Sequence, residues 1–332
     1  MSTISMDATG DAQEPEITVL VLCYRHRPFL ADCLASVAGQ TWTDFELIVC
    51  DDASDDGSAA LIEQCLSTLG RPACFVRHTC NLGLCGTLVE LLGMARGRHV
   101  AMIAADDLWA PERLAAQLAV LRQHPEAAMV YSDAHQIDES GALLPGSFMQ
   151  AHQAPVPAPS GKLFAALVER NFIPAMATLI RRSAIDAVGG YDASFSYEDY
   201  DMWLRLAARF PIVHLPGRLA SYRIVASSMV RTMFARPDGR HFFTEYRIHE
   251  RWLDSGLLSD RQRQRWVLLQ ANAAYGMFCT GHPRAAAALW KAAQRDSSRR
   301  ASWLLRSFLC AIGLHRPRLV RLLAPLKLAH RE

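Results

Sequence analysis

Residues 17–58 read ITVLVLCYRHRPFLADCLASVAGQTWTDFELIVCDDASDDGS. This stretch begins with a short apolar run, Ile17–Cys23, that is rich in β-branched residues and does not alternate with polar positions. Such a run is typical of a strand that is buried on both faces of a parallel sheet. The spacing of apolar residues over 28–38 predicts a helix, and residues 45–50 form a second apolar run. The stretch therefore predicts a strand, a helix and a second buried strand.

The alternation of strands and helices continues to about residue 135. Three further apolar runs, at 74–78, 100–105 and 129–132, are candidate strands, and helical patterns lie between them. We therefore expect an α/β domain with a mostly parallel central sheet and helices on both faces.

Two pairs of acidic residues, Asp51-Asp52 and Asp106-Asp107, directly follow predicted strands. Ligands of open α/β sheets bind beyond the carboxyl ends of the strands. Two carboxylates at the end of an apolar strand are costly unless a positive charge neutralises them, and a divalent cation that also holds phosphates is one common solution. The Asp106-Asp107 pair also fits solvated turn residues that cap the next helix. The residues alone leave both interpretations open.

A third acidic cluster, Glu198, Asp199 and Asp201, precedes the helical pattern that begins at Trp203. One of these carboxylates is a candidate general base. Alternatively, all three are favourable charges at the N-terminus of a helix.

The composition excludes a disordered chain and gives no reason to expect a nucleic-acid partner. Of the 332 residues, 51% are apolar and 20% are charged, which suffices to bury a sizeable core. Lys and Arg together number 35 and Asp and Glu 33, so the formal charge is only +2. The nine cysteines form no CxxC pair, and we expect them to be reduced in a cytoplasmic protein.

The two ends of the chain differ in charge. Residues 1–16 hold four acids and no base and lack the basic and apolar segments of a signal peptide, so we expect a disordered leader. Residues 241–332 have helical patterns throughout. Within them, residues 297–332 hold eight Lys and Arg side chains and one acid.

These basic residues, 297–332, are interspersed with apolar residues at helical spacing, among them Trp303, Leu305 and Phe308. A basic amphipathic segment of this kind can lie on an anionic membrane surface. It can equally pack its apolar residues on the catalytic domain or on a second subunit, with the arginines in solvent. The sequence leaves these alternatives open.

Five motifs, taken in order, resemble a family 2 glycosyltransferase of the GT-A fold. They are the quoted residues 17–58, NLGL (81–84), ARGRHVAMIAADDLWAPERL (95–114), YEDYDMWLRLA (197–207) and YRIVASS (222–228). No single motif is decisive, but five in the correct order indicate this family over about two thirds of the chain.

The resemblance implies a Rossmann-like GT-A domain at 17–235, followed by a helical C-terminal region at 241–332. The nucleotide-sugar-binding half of that domain is expected at about 17–135 and the acceptor half at about 160–235.

The resemblance also assigns the donor-binding residues. Leu22 and Tyr24 match the wall against which the nucleobase packs, and Asp52 matches the carboxylate that binds the base. Asp106 and Asp107 match the motif that binds metal and donor. Asp107 is the expected direct ligand of Mn²⁺ or Mg²⁺, and Asp106 is expected nearer the ribose or the donor sugar.

For catalysis, the resemblance implies that Asp199 is the base that removes the proton of the acceptor hydroxyl. Glu198, Trp203 and Arg223 match supporting residues around the acceptor and the diphosphate. Many relatives carry Asp-x-Asp-Asp at the fourth strand, and Ala104 stands at the first of these positions. One carboxylate that could support the metal is therefore missing.

The implied function is inverting transfer of a sugar from a nucleoside-diphosphate sugar, with a UDP-sugar as the expected donor, to a glycan or lipid-linked acceptor. The common setting in the family is bacterial cell-surface polysaccharide or lipopolysaccharide assembly. We therefore expect a cytoplasmic enzyme, with peripheral contact to the inner membrane through 297–332 as an open alternative. Two other functions are alternatives. Ala104 favours a non-catalytic sugar-nucleotide-binding or scaffold protein, and the absence of glycine from residues 24–28 argues against a sugar nucleotidyltransferase.

Overall fold

The computed structural model of this chain describes residues 3–6, 14–225 and 239–311. Their contacts divide the chain into two compact units. The first comprises residues up to 193 together with 198–226, and the second comprises 194–197 together with the residues from 227 onward.

The first unit is built on one mixed sheet. Its strands are β1 (Thr3–Met6), β2 (Ile17–Cys23), β3 (Phe45–Asp51), β4 (Cys74–Arg77), β5 (His99–Ala104), β6 (Leu108–Trp109), β7 (Met129–Ile137), β8 (Thr178–Arg181) and β9 (Ile212–Arg223). Their order across the sheet is β1-β4-β3-β2-β5-β8-β7-β9-β6.

In the described residues of this unit, eight helices lie between these strands. They are α1 (Arg27–Ala38), α2 (Ser58–Thr68), α3 (Gly83–Met94), α4 (Arg113–Gln123), α5 (Phe148–Ala151), α6 (Phe164–Glu169), α7 (Arg182–Ala187) and α8 (Asp199–Ala207), with a 3₁₀ turn at Ala175–Ala177. The predicted α/β architecture is confirmed. Parallel pairing joins β4, β3, β2 and β5 and also joins β7 to β9, whereas the other neighbouring strands are antiparallel.

The central strand β2 sets the register of its neighbours. Leu22 lies opposite Cys50 of β3 and Ala104 of β5, so the three strands end at the same edge of the sheet. At the opposite edge, Gly97 packs on β2 so closely that an added Cβ would lie 2.3 Å from the backbone nitrogen of Thr18. The Gly97 N–H donates to the Thr18 hydroxyl at 2.8 Å. This close approach fixes the start of β5 against β2.

Strand β1 lies within the segment for which the sequence predicts a disordered leader. Its backbone pairs antiparallel with β4, with Thr3 opposite Arg77 and Met6 opposite Cys74. The prediction of disorder over all of 1–16 is therefore wrong for these residues. Without β1, the backbone N–H and C=O groups at the outer edge of β4 would be unpaired. Thr3 and Ile4 are β-branched residues, which are common in strands.

The second unit is helical, as predicted for the C-terminal region. It contains α9 (Arg240–Leu253), α10 (Asp260–Thr280), α11 (Ala285–Arg295), a 3₁₀ turn at Ser297–Arg299 and α12 (Arg300–Ala311). Ser259 and Gln262 form a reciprocal capping box at the start of α10, and Gly281 ends that helix with a positive φ of 73°. The helices enclose their own core, which includes Phe278, Leu289 and Trp303.

No helix within the described ranges has both the length and the apolar character required to cross a membrane. The tail predicted at 297–332 is described only as far as residue 311; the rest of that prediction lies outside the described residues.

Candidate active site

The loops that follow β2 and β3 are tied together by side chains. Arg25, whose φ of 58° is in the left-handed region, donates its backbone N–H to the Ser54 hydroxyl at 2.9 Å. Its guanidinium binds both oxygens of Asp55 at 2.7 Å. The Arg27 N–H donates to Asp56 at 3.1 Å. These contacts bring the predicted nucleobase wall beside the Asp51–Asp52 loop.

The two residues of that predicted wall differ in exposure. Leu22 is buried within β2, whereas Tyr24 is half-buried directly beyond the end of the strand. The Arg25 guanidinium carbon lies 5.2 Å from the centre of the Tyr24 ring. Tyr24 is therefore the more accessible of the two for stacking.

Asp52 holds the beginning of helix α3. Its Oδ1 accepts hydrogen bonds from the Leu82 N–H at 2.8 Å and from His78 Nδ1 at 2.7 Å, and its Oδ2 accepts one from the Gly83 N–H at 2.9 Å. The Asn81 side chain donates to the Asp52 backbone carbonyl at 3.1 Å. The NLGL motif is therefore the partner of the acidic loop, which connects two of the five sequence motifs. Each oxygen of a carboxylate accepts about two hydrogen bonds, so within the described part of the chain Oδ2 has one further acceptor position.

Asp51 supports the same loop from inside the protein. It is only 1% exposed, and its Oδ2 accepts the Ser54 N–H at 3.1 Å. The sequence motif thus contains one carboxylate that is enclosed and one, Asp52, whose side chain retains 9% exposure at the edge of the sheet.

Asp106 and Asp107 follow β5, and like Asp51 and Asp52 they differ in how far their side chains are exposed. Asp107 is 3% exposed, and its Oδ1 accepts the backbone N–H of Arg223 at 2.9 Å. The side chain of Asp106 retains 14% exposure. Burial, and then the charge of Asp106, raise the pKa of Asp107 well above its usual range. A buried carboxylate in this state would be stabilised by a nearby cation.

Arg223, at the end of β9, fixes the turn that carries this acidic pair. Its Nε donates to the Asp106 carbonyl at 2.8 Å, and its Nη1 donates to the carbonyls of Asp138 and Glu139 at 3.1 Å. The guanidinium also lies 4.7 Å from the centre of the Phe29 ring. Since Arg223 is 2% exposed and bound to three carbonyls, its role in this structure is to hold the backbone around the acidic pair.

Sequence reasoning missed His26, which faces the acidic pair from the loop after β2. Its Nδ1 lies 3.6 Å from Asp106 Oδ1. A single histidine in a loop carries no spacing signal, so only the meeting of the β2 and β5 ends reveals it.

The third acidic cluster begins helix α8. Asp199 Oδ1 accepts the Tyr200 N–H at 2.6 Å, and its Oδ2 accepts the side-chain amide of Asn171 at 2.8 Å. Burial raises the pKa of Asp199. Burial, followed by the charge of Asp199, raises the pKa of Glu198 to about 8. Two adjacent acids with raised pKa values are a common feature of catalytic sites.

Cys85, in the first turn of α3, links this cluster to the nucleotide loop. After burial, the charges of Glu198 and Asp199 are the leading causes of the raised pKa of its thiol. The acidic start of α8 therefore acts electrostatically on the first turn of α3, which Asp52 holds through Leu82 and Gly83.

Two other residues of this segment are buried. Trp203 is completely enclosed, and its role as a supporting residue around the acceptor and the diphosphate stays a prediction. Its helical position turns it into the core of the first unit. Asp201 is 1% exposed and binds Arg205 at 2.8 Å, one turn along the same helix.

Within the described ranges, no group of three or more His, Cys, Asp or Glu side chains is arranged to hold a metal ion. Asp106 and Asp107 nevertheless fit one hard divalent cation, since such ions commonly take one or two carboxylates together with phosphate oxygens and water. The raised pKa of Asp107 is the observation that supports this fit.

Comparisons with known proteins assign the class of protein to which this fold belongs, the glycosyltransferases. Residues 18–189 match the model of Glycosyl transferase family 2, and the chain belongs to that family. EpsE, a putative glycosyltransferase of Bacillus subtilis (strain 168), is 28% identical over 198 residues, which are 58% of this chain and 66% of EpsE. The amylovoran biosynthesis glycosyltransferase AmsE of Erwinia amylovora is 28% identical over 206 residues, which are 60% of this chain and 72% of AmsE. The chain thus matches slightly less than two thirds of EpsE.

Solved structures confirm the GT-A fold. Residues 1–349 of S. aureus TarS, in complex with UDP-GlcNAc, match with a TM-score of 0.58 and 16% identity, covering 90% of this chain and 88% of that one. The mannosyltransferase PcManGT from Pyrobaculum calidifontis, in complex with GDP-Man and Mn²⁺, matches with a TM-score of 0.55 and 18% identity. This match covers 93% of this chain and 90% of PcManGT.

The Asp52 hydrogen bonds lead to a prediction about stability. We expect Asp52→Ala to lower the free energy of unfolding by about 2–4 kcal/mol, because two backbone N–H groups at the start of α3 and His78 lose their acceptor. Urea denaturation followed by circular dichroism measures this change. Asp55→Ala is the matched control, since the side-chain contact described for Asp55 is an exposed ion pair with Arg25, whose loss should change the free energy of unfolding only slightly. Equal denaturation of the Asp52→Ala and Asp55→Ala variants would contradict the role given to Asp52.

Proposed function

We propose that this chain is an inverting glycosyltransferase that moves a sugar from a nucleoside-diphosphate sugar, with a UDP-sugar as the expected donor, to a hydroxyl of a glycan or lipid-linked acceptor. The observation that carries the proposal is the acidic start of α8. There Asp199 is oriented by two hydrogen bonds and has a raised pKa, and its charge acts on Cys85 in the first turn of α3.

The donor half of the proposal rests on the ends of β2 and β3. Tyr24 supplies an accessible ring for the nucleobase, and the further acceptor position on Asp52 Oδ2 would take an N–H of the base. His78, Leu82 and Gly83 hold the Asp52 carboxylate in one orientation, so little side-chain entropy is lost when the nucleotide binds. The ligands of TarS and PcManGT support a nucleoside-diphosphate sugar as the donor class.

The metal half of the proposal concerns the end of β5. We assign Asp106 as the direct ligand of Mn²⁺ or Mg²⁺ and Asp107 as its support, which reverses the order expected from the sequence. The greater exposure of Asp106 and the bond from Asp107 to the Arg223 backbone support this order. When bound, a divalent cation stabilises the negative charge that develops on the leaving diphosphate.

In the transfer step, the acceptor oxygen attacks the anomeric carbon while the bond from that carbon to the diphosphate oxygen breaks. Asp199 accepts the proton of the acceptor hydroxyl, and the nucleoside diphosphate leaves with the bonding electron pair. A single displacement inverts the anomeric centre. Glu198, whose pKa of about 8 keeps it mostly protonated at neutral pH, limits the negative charge beside the ionised base.

We expect Asp199→Asn to reduce kcat for glycosyl transfer by at least ~10²-fold with donor affinity nearly unchanged, because the amide cannot accept the proton. Glu198→Gln keeps the base and should retain most of the activity. The wild-type rate should fall as the pH drops through the raised pKa of Asp199, since protonation removes the base. Full transfer by Asp199→Asn together with loss in Glu198→Gln would assign the base to Glu198 instead.

A second prediction concerns the metal. Calorimetry with UDP should show that Mn²⁺ raises nucleotide affinity in the wild type, and that Asp106→Asn loses this enhancement by about tenfold or more. Asp107→Asn should lose less of it, because its remaining carbonyl oxygen can still accept the Arg223 N–H. Asp55→Asn, an exposed carboxylate in the neighbouring loop, is the control. Equal UDP affinity in Mn²⁺ and in EDTA for the wild type would overturn the metal assignment.

The cellular setting is proposed from the relatives and from α12. The name of AmsE refers to amylovoran biosynthesis, which supports a role in bacterial cell-surface polysaccharide assembly. Helix α12 exposes Leu305 and Phe308, at 50% and 60%, while Trp303 is 4% exposed and packs in the core of the second unit. We therefore propose that each alternative for the tail applies to a different side of α12. Trp303 packs inside the protein, and Leu305 and Phe308 contact the anionic cytoplasmic face of the inner membrane.

This membrane proposal is tested by flotation with liposomes. The wild type should float with liposomes of anionic lipid, less so at high salt, and not with neutral lipid, because cations near the surface each contribute about 1 kcal/mol. The double variant Leu305→Gln, Phe308→Gln should float much less. Leu257→Gln, which removes an exposed leucine from outside α12, should float like the wild type. Equal flotation of all three proteins would reject α12 as the contact.

A further inference from the structure

The segment before the 3₁₀ turn at Ala175–Ala177 brings one amide side chain to the acidic start of α8. Asn171 donates from its Nδ2 to Asp199 Oδ2 at 2.8 Å, across 28 positions of the sequence. The next two residues, Phe172 and Ile173, are completely buried, so the backbone that carries this amide is anchored in the core. Its position relative to α8 is therefore fixed by tertiary packing.

The carbonyl oxygen of the Asn171 side chain differs from its amide nitrogen in hydrogen bonding. Asn171 Oδ1 is buried, and within the described part of the chain it has no hydrogen-bond partner. An asparagine that serves only to join two segments would normally bond through both its amide and its carbonyl. Here the described side-chain bond of Asn171 goes to Asp199, which indicates that its orientation serves that carboxylate.

Asp199 is thus held from two directions. The Tyr200 N–H of its own helix binds Oδ1 at 2.6 Å, and Asn171 binds Oδ2 from a different element. The first bond comes from the adjacent residue of the same helix, whereas the second comes from a separate segment 28 positions away in the sequence. Counting the bonds within the described part of the chain, the carboxylate keeps at least one acceptor position for an incoming proton.

We propose that Asn171 is a positioning residue for Asp199, holding its carboxylate in the orientation in which it accepts the proton of the acceptor hydroxyl. The proposal rests on the function proposed above for Asp199. It adds a residue that lies outside all five sequence motifs and acts through the base.

The electrostatics of this contact oppose the effect of burial. Burial raises the pKa of Asp199, while the hydrogen bond from Asn171 lowers it by stabilising the charged form. Among the described residues, the other charged or titratable groups that act on this region include Glu198 directly before α8, Tyr191 after α7, His152 after α5 and Cys85 on α3. Loss of the Asn171 bond should therefore raise the pKa of Asp199 and leave less of the ionised base at neutral pH.

The direct test is ¹³C NMR of protein with labelled aspartate side chains, in which Asp199→Asn identifies the Asp199 signal. In Asn171→Ala, the pKa of Asp199 should rise by about one unit. Asn171→Asp, which has nearly the same shape but adds a negative charge, should raise it further. Asn272→Ala, an exposed asparagine of α10, is the control and should leave the titration unchanged.

Kinetics then separate positioning from general destabilisation. The acidic limb of the pH profile of kcat should move to higher pH in both Asn171 variants, and kcat at pH 7 should fall about tenfold with KM for the donor unchanged. An unchanged Asp199 pKa in the isosteric Asn171→Asp variant would overturn the proposal, even if that variant were less stable. Full activity of Asp199→Asn would instead overturn the proposed base, and the NMR titration would still report the contact independently.

Discussion

The parallel register of β2 with both β3 and β5 is the constraint on which the candidate site depends. Because Leu22 lies opposite Cys50 and Ala104, the chain leaves all three strands at one edge, and their loops meet there. A shift of one residue would turn the side chains of these fully enclosed strands to the opposite face. The close packing of Gly97 on Thr18 at the other edge helps to prevent such a shift.

Several carboxylates belong to the candidate site, and their negative charges are stabilised to different extents. Asp52 accepts hydrogen bonds from backbone N–H groups at the start of α3 and from the side chain of His78. Asp107 and the Glu198-Asp199 pair instead have raised pKa values, chiefly because they are enclosed with too little compensating positive charge. Proteins tend to keep such local costs where ligands or protons will later bind. In the proposed reaction these are the places of the cation and of the acceptor proton.

The helical second unit has a separate physical basis. Its helices pack around their own aromatic core, with Trp303 of α12 inside and Leu305 and Phe308 of the same helix outside. The single amphipathic pattern read from the tail therefore divides into two faces with different environments. The inner face contributes to folding of the unit, and the outer face is free for the proposed contact with anionic lipid.

The sequence by itself determined the alternation of β2, β3, β4, β5 and β7 with helices, the sheet edge at which ligands are expected and the acidic pairs there, because these follow from local periodicity and from the rules of α/β sheets. Only the tertiary structure decided what each acid does. The partners of Asp52, Asp107 and Asp199 come from residues 26 to 116 positions away, namely His78, Arg223 and Asn171. The strand at Thr3–Met6 and the burial of Trp203 were likewise decided by neighbours that are distant in sequence. Hydrogen bonding and burial depend on which segments meet in space, and a local pattern contains no information about that meeting.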